Sequence, residues 1–358
     1  MALQTALNDL PGADEIRSRP CSSCYLCGAP GELLYEGLKD RLHGAPGTWN
    51  LKRCPDTGCG LIWVDPMPIE EDLHRAYRTY FTHVSAAESL AYRFRQRVKR
   101  GYAGLAYGYS QQVALVDCLL ALPLAFLHSL REQAVASGLM YLRGERPGRL
   151  LEIGCGSGTF LAGMRLLGWQ VEGIDTDPQA IKIARNNYSL DVRQGKLEEQ
   201  KYSGSNFDAI VMSHVLEHLH DPLALLSECR RILVPGGTLV ITTPNVQSQG
   251  HRRFRSAWVH LDPPRHLHLF SRTALGNIVT RSGLKPVKLR STIRLARDVW
   301  ILSDYIRRDG VTQMDRKGNW RMKLHAAAFR AREALSLLFD RAAGEELLLI
   351  ASNNDNGA

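Results

Sequence analysis

From Arg149 onward, short apolar runs bounded by Gly, Pro or Asp alternate with stretches whose apolar positions recur every three or four residues. The runs "RLLEIG", "QVEGID", "DVRQG", "FDAIVMS", "GTLVITT" and "KPVKLRS" have the length and bounding residues of strands. Between them, stretches such as "DPLALLSECRRIL" have the period of amphipathic helices. Strands alternating with helices predict a parallel sheet covered by helices. A last run, "EELLLIAS", follows a helical insertion expected at about 293–344. Upstream, residues 81–148 read as a helical linker or lid, with basic and aromatic positions interleaved in "AYRFRQRVKRGYAGLAYGYSQQ". Its most apolar part, Val113 to Leu127, contains Asp117 and Pro123 and is too short to span a bilayer. It reads as a buried helix pair, with a membrane-surface helix as the lesser alternative. Residues 1–20 and 353–358 are expected to be tails, and 21–80 a cysteine-rich region.

Length and composition change this picture little. The chain has 358 residues, 44% hydrophobic and 23% charged, which suits a globular protein with two domains or one domain and an appendage. Its formal charge of +9 permits an anionic substrate, nucleic acid or acidic membrane surface and selects none of them. The first residues lack the basic start and apolar run of a secretion signal, so the eight cysteines read as reduced thiols or metal ligands in a cytoplasmic setting.

The first strand runs into "GCGSG", with glycines at 154, 156 and 158. A dinucleotide fingerprint would place its third glycine at Thr159, and the lysine of a phosphate-binding loop is missing. Downstream, "VEGIDTDP" ends the second strand in a carboxylate at Asp175, and "FDAIVMSHVLEHLHDPLALLSECRRILVPGGTLVITTPN" follows. The region from Arg149 to Arg290, with the last strand, closely resembles the class I S-adenosylmethionine-dependent methyltransferases. The resemblance implies an α/β, Rossmann-like, seven-stranded methyltransferase sheet with an antiparallel last strand, residues 149–352 forming the domain. It implies that S-adenosylmethionine lies over Gly154, Gly156 and Gly158, where a Cβ would collide. It further implies that Glu152 orders the loop and the amino end of the cofactor. Asp175, with Thr176, holds the ribose, and Ser213 lines the crevice. In the family the third strand ends in glycine-aspartate, which receives the adenine. Here the sequence is Gly195-Lys196-Leu197-Glu198, so either Glu198 or a backbone group near Leu197 takes that part.

In the cysteine-rich region, Cys24-x-x-Cys27-Gly and Cys54-x4-Cys59-Gly each resemble a zinc knuckle. Four thiolates make a closed tetrahedral site with no open position, hence structural Zn2+. Cys21 is the spare cysteine and the alternative to Cys24. The region resembles the N-terminal zinc-binding region of many bacterial methyltransferases.

The remaining chemistry is carried by histidine. "HVLEHLH" supplies His214, Glu217 and His218 on one helical face, and "WVHLDPPRHLHLFSR" supplies His260 and His266. The pattern is similar to E-x-x-E-H in metal-dependent O-methyltransferases of quinone biosynthesis and of small-RNA 3′ ends, with His214 replacing the first glutamate. That resemblance adds a divalent metal beside the cofactor as an option, whereas common "VLEHL" segments only cap and pack. A base for a hydroxyl acceptor would come from His218, His260 or His266. The favoured reading is a small-molecule O- or C-methyltransferase acting on a sugar or biosynthetic intermediate. The alternatives are an RNA methyltransferase using Arg95, Arg97, Lys99 and Arg100, and a non-catalytic zinc-bearing interaction protein.

Overall fold

The computed structural model describes residues 15–78, 90–126, 135, 138–144 and 146–353. In chain order the strands are β1 (Ser18–Arg19), β2 (Glu32–Leu38), β3 (Trp49–Arg53), β4 (Ile62–Asp65), β5 (Met67–Pro68), β6 (Arg149–Ile153), β7 (Gln170–Asp175), β8 (Asp191–Gln194), β9 (Phe207–Ser213), β10 (Leu233–Pro244), β11 (His268–Leu269), β12 (Lys285–Thr292) and β13 (Glu346–Ser352). All seven apolar runs from Arg149 onward are strands of one sheet, ordered β12-β13-β10-β9-β6-β7-β8. The pairs from β8 to β10 are parallel, and β13 is antiparallel to both its neighbours. The connections β6–β7, β7–β8 and β9–β10 each cross over through a helix, which covers the sheet faces and explains why Leu150, Leu151, Ile210, Val240 and Ile241 are fully buried. Strand order reverses between β6 and β9, so their carboxyl ends splay apart and open a crevice there.

A second sheet, β11-β4-β3-β2, is antiparallel throughout. Three of its strands come from the cysteine-rich region. The fourth, β11, comes from beyond the core strand β10, so the two regions share a sheet. A buried ion cluster fixes the seam. The Arg265 guanidinium is wholly enclosed and donates to both oxygens of Asp40 at 2.8 Å each, to Asp262, and to the Ala76 carbonyl at 2.9 Å. Burial alone would raise the Asp40 carboxyl, but Arg265 outweighs it and holds the pKa down to about 2.

Several expectations change. The stretch up to residue 20 is no tail from Glu15 onward, because β1 pairs with β5 and Ile16 is buried; residues 1–14 lie outside the described residues. At the other end Asn353 is buried, its amide donating to the Leu233 carbonyl at 2.8 Å and the Arg230 carbonyl at 3.1 Å, while 354–358 lie outside the described residues. The expected buried helix pair of Val113–Leu127 is instead one helix, Leu115–Phe126, packed on the helix Leu90–Ala106. It turns Asp117, Cys118 and Ala121 inward and leaves Leu115 at 75% and Leu119 at 58% exposure. Parts of the expected 81–148 lid fall outside the described residues. The insertion after β12 does hold two helices, Ala296–Asp309 and Trp320–Ser336.

Replacing Arg265 by Met strands two buried carboxylates, and chemical denaturation should show a loss of about 3–5 kcal/mol. Wild-type stability in Arg265→Met would show that the cluster does not hold the two regions together.

Candidate functional site

The loop after β6 crosses the mouth of the crevice, and its three glycines do different work. At Gly154 (φ +72°) a Cβ would stand 2.6 Å from Val215, and at Gly158 (φ +75°) one would stand 2.5 Å from Leu190 and 2.9 Å from Ala184. Those two are required by the protein's own packing. At Gly156 (φ +52°) a Cβ meets no protein atom within 4 Å, so only this glycine faces open space that a ligand can fill. The bend is held by Asp175, whose carboxylate accepts from the Gly156 N–H at 2.7 Å and the Asp177 N–H at 2.9 Å. Glu152, expected to order the loop, makes no such contact. It is buried on β6 with one carboxylate oxygen unpartnered, and burial together with Asp175 pushes its pKa well up. An orphaned carboxyl beside an open glycine suits the ammonium end of a bound amino-acid moiety. Thus the residues fit S-adenosylmethionine. Of the other expected contacts, Ser213 Oγ lies 3.0 Å from Thr242 Oγ1, and Leu197 is buried, leaving only its backbone for adenine. Thr176 and Glu198 are exposed at the crevice side.

Beyond the ends of β9 and β10 lies a group of histidines and carboxylates. His214, strained at φ +56°, sits between Glu346 (2.9 Å from Nε2) and Glu217 (3.1 Å from Nδ1). Burial would lower its pKa, but the two carboxylates raise it to about 9, and Glu217 falls to about 2 against its own burial. His214 is therefore a fixed cation with both ring nitrogens committed. With both nitrogens taken, it does not hold the place of a metal ligand that the resemblance implied for it. His218 is the opposite case: burial and the neighbouring His266 push it down to about 4. Its Nδ1 lies 3.0 Å from the Arg265 carbonyl and 3.0 Å from Tyr77 Oη. His266 Nδ1 lies 2.7 Å from the His260 carbonyl. A carbonyl only accepts, so both Nδ1 atoms carry hydrogen, and in the neutral ring of His218 this leaves Nε2 as a lone-pair acceptor.

Glu217, His218 and His266 each bring one donor atom within 4.8 Å of the others. Glu217 also accepts from Thr243 Oγ1 at 2.9 Å. His260 stacks on His214 with ring centroids 5.9 Å apart, and burial lowers it to about 3; its Nε2 is enclosed without a partner. Asn245, just after β10, is buried and donates to the Ala342 and Gly344 carbonyls at 2.6 Å each. Tyr77, Arg265 and Glu346 carry no motif, and only the fold brings them here.

In the cysteine-rich region Cys24, Cys27, Cys54 and Cys59 converge, with Sγ separations of 3.7 Å for Cys24–Cys59 and 3.4 Å for Cys27–Cys54. Tetrahedral zinc with bonds of about 2.3 Å implies sulfur separations of about 3.8 Å, so the four thiols fit the ion. Cys21 stays outside, tied through its backbone to Asp65 and Trp63.

Residues 126–289 match the family model described as "Methyltransferase domain". A ubiquinone biosynthesis O-methyltransferase of Cereibacter sphaeroides is 33% identical over 156 residues, 40% of this chain and 63% of that protein. One of the same name from Xanthomonas campestris is 38% identical over 131 residues, 34% of this chain and 52% of that protein. The chain therefore spans only about half to three fifths of the curated relatives it matches. A SAM-dependent methyltransferase structure from Archaeoglobus fulgidus is 19% identical, covering 63% of this chain and 93% of that one, with a TM-score of 0.41.

Two outcomes are expected. Gly156→Ala should fold at a cost of about 1–2 kcal/mol from its left-handed backbone and lose roughly tenfold or more in S-adenosylmethionine affinity by calorimetry, whereas Gly158→Ala, which adds a clash with Leu190 and Ala184, should lose clearly more stability. Equal behaviour of the two variants would refute the division of labour. Elemental analysis should find about one zinc per chain, and Cys59→Ser should shed it; a metal-free, stable wild type would remove zinc from the structure.

Proposed function

We propose that this chain, which carries a class I S-adenosylmethionine-dependent methyltransferase domain with an added cysteine-rich region, transfers a methyl group to an oxygen of a small-molecule acceptor. The observation that supports it most is the pairing of the open Gly156 loop and the unpartnered Glu152 oxygen with His218, whose Nε2 carries a lone pair, at the same end of the sheet. Bound S-adenosylmethionine supplies a methyl already activated by its sulfonium, so the chain's work is alignment and proton removal. Asp175 and the backbone around Gly156 set the ribose side, and Glu152 receives the amino end. His218 takes the hydroxyl proton on Nε2 while the Arg265 carbonyl and Tyr77 keep its ring oriented. His214, locked by two carboxylates, keeps positive charge fixed at the site and takes no proton itself.

The acceptor class is a hydroxylated sugar or biosynthetic intermediate, the setting the cytoplasm, and the Cys24–Cys27–Cys54–Cys59 site holds structural zinc. A divalent cation held by Glu217, His218 and His266 is a second reading, supported by the convergence of one donor atom from each within 4.8 Å. Such an ion would supply Lewis-acid activation of the hydroxyl. Both readings need a neutral His218.

Radiolabelled methyl from S-adenosylmethionine should appear on members of a hydroxylated small-molecule panel and not on RNA. His218→Gln should cost ~10²-fold in turnover while cofactor affinity stays within about twofold. Because the folded His218 pKa is depressed to about 4, the base stays free as pH falls. Turnover should hold down to about pH 5 and drop only below it. An acid limb near 6.5, or unchanged turnover in His218→Gln, would remove His218 from the reaction.

A further inference from the structure

The helices Leu90–Ala106 and Leu115–Phe126 meet at unusually close range. A Cβ at Gly101 would stand 1.8 Å from the Asp117 carbonyl, and one at Gly104 would stand 2.9 Å from Cys118 Sγ. The contact face of the second helix is therefore small and partly polar: Asp117, Cys118 and Ala121 are buried. Its large apolar side chains face water, with Leu115 at 75%, Val116 at 51%, Leu119 at 58% and Leu122 at 46% exposure, joined by Phe94 at 55% from the first helix. One short helix that hides its polar residue and presents its leucines has an unmatched apolar face.

Charge selects what covers it. The first helix, "LAYRFRQRVKRGYAGLA", carries four arginines and a lysine and no acid, and Asp117 is the single acid of the second. That carboxylate takes Arg97 at 2.7 Å and Arg100 at 3.7 Å, leaving the pair of helices strongly positive. Leucines flanked by arginines match a surface that is apolar within and anionic at its face. A second copy of the chain would bring arginines against arginines. No helix among the described residues is long and apolar enough to cross a membrane, so the element would lie on a bilayer without spanning it. Tyr102, Ala103 and Ala121 of the two helices belong to the same buried cluster as Cys155 of the glycine loop, so the inner side of the pair packs into the core and the leucine face is the outer one.

We propose that this helix pair docks the chain on an anionic phospholipid surface, Leu115, Val116, Leu119 and Leu122 entering the headgroup boundary and the surrounding arginines meeting lipid phosphates. The inference is independent of the reaction catalysed.

Co-sedimentation of the full chain with vesicles of about 30% phosphatidylglycerol in phosphatidylcholine tests it. The chain should pellet with these vesicles and not with phosphatidylcholine alone, and raising salt to about 0.5 M should weaken the binding severalfold. The double variant Leu119→Glu/Leu122→Glu should lose at least ~10-fold in vesicle binding. Both positions face solvent, so its thermal melting should match wild type, as should its S-adenosylmethionine affinity. Absence of wild-type binding to anionic vesicles would overturn the proposal, as would equal binding by the double variant. A dimer in sedimentation velocity that the same two substitutions dissolve would assign the face to a second copy instead and overturn it too.

Discussion

A guanidinium sealed from water must be neutralised on the spot, and much of this structure's organisation follows from how Arg265 meets that demand. Its charge is met by Asp40 from the cysteine-rich region and Asp262 from the loop between β10 and β11. Breaking either contact would leave a charge in a medium that cannot solvate it. The carbonyl of the same residue holds His218, so the arginine that joins the two regions also aims the ring nearest the proposed chemistry. The cysteine-rich region is thus part of the site's scaffold, and it supplies Tyr77 to the same histidine.

Electrostatics then divides the histidines. Four of them lie within a few residues of one another in space, yet their neighbours force opposite states. His214, caught between Glu217 and Glu346, stays protonated well above neutral pH despite being enclosed. His218 and His260, enclosed and facing other histidines, stay neutral far below it. His214 and Arg294 together balance the carboxylates of Glu217 and Glu346, while the neutral ring of His218 keeps a lone-pair acceptor beside them. Glu346 in turn is held by Thr292 and Arg294, which carries the network to the outer strands β12 and β13.

The glycine loop follows the same logic of limited space. Two of its glycines are consumed by contacts with Val215, Leu190 and Ala184, and one is left for the ligand. A motif commonly read as a cofactor cradle is here mostly a packing solution, with Asp175 closing the bend through two backbone N–H groups.

The sequence by itself determined the seven core strands, the family resemblance of the cofactor loop and the Cys24–Cys27–Cys54–Cys59 set, because each is written locally. Periodicity fixes strands and helices, positive-φ turns need glycine, and paired cysteines at knuckle spacing meet through short turns. Only folding showed that His214 is held between two carboxylates, that the Asn245 amide is spent inside the protein on the Ala342 and Gly344 carbonyls, and that one Glu152 oxygen is left unpartnered. It also decided that the leucines of Leu115–Phe126 face water. Each of these depends on a partner distant in sequence, such as Glu346 for His214 or Asp117 against Gly101 for the helix pair. Periodicity gives the width of an apolar face and does not say whether the protein or something else covers it. The charge state of a histidine belongs to the carboxylates around it, and those arrive only when the chain has folded.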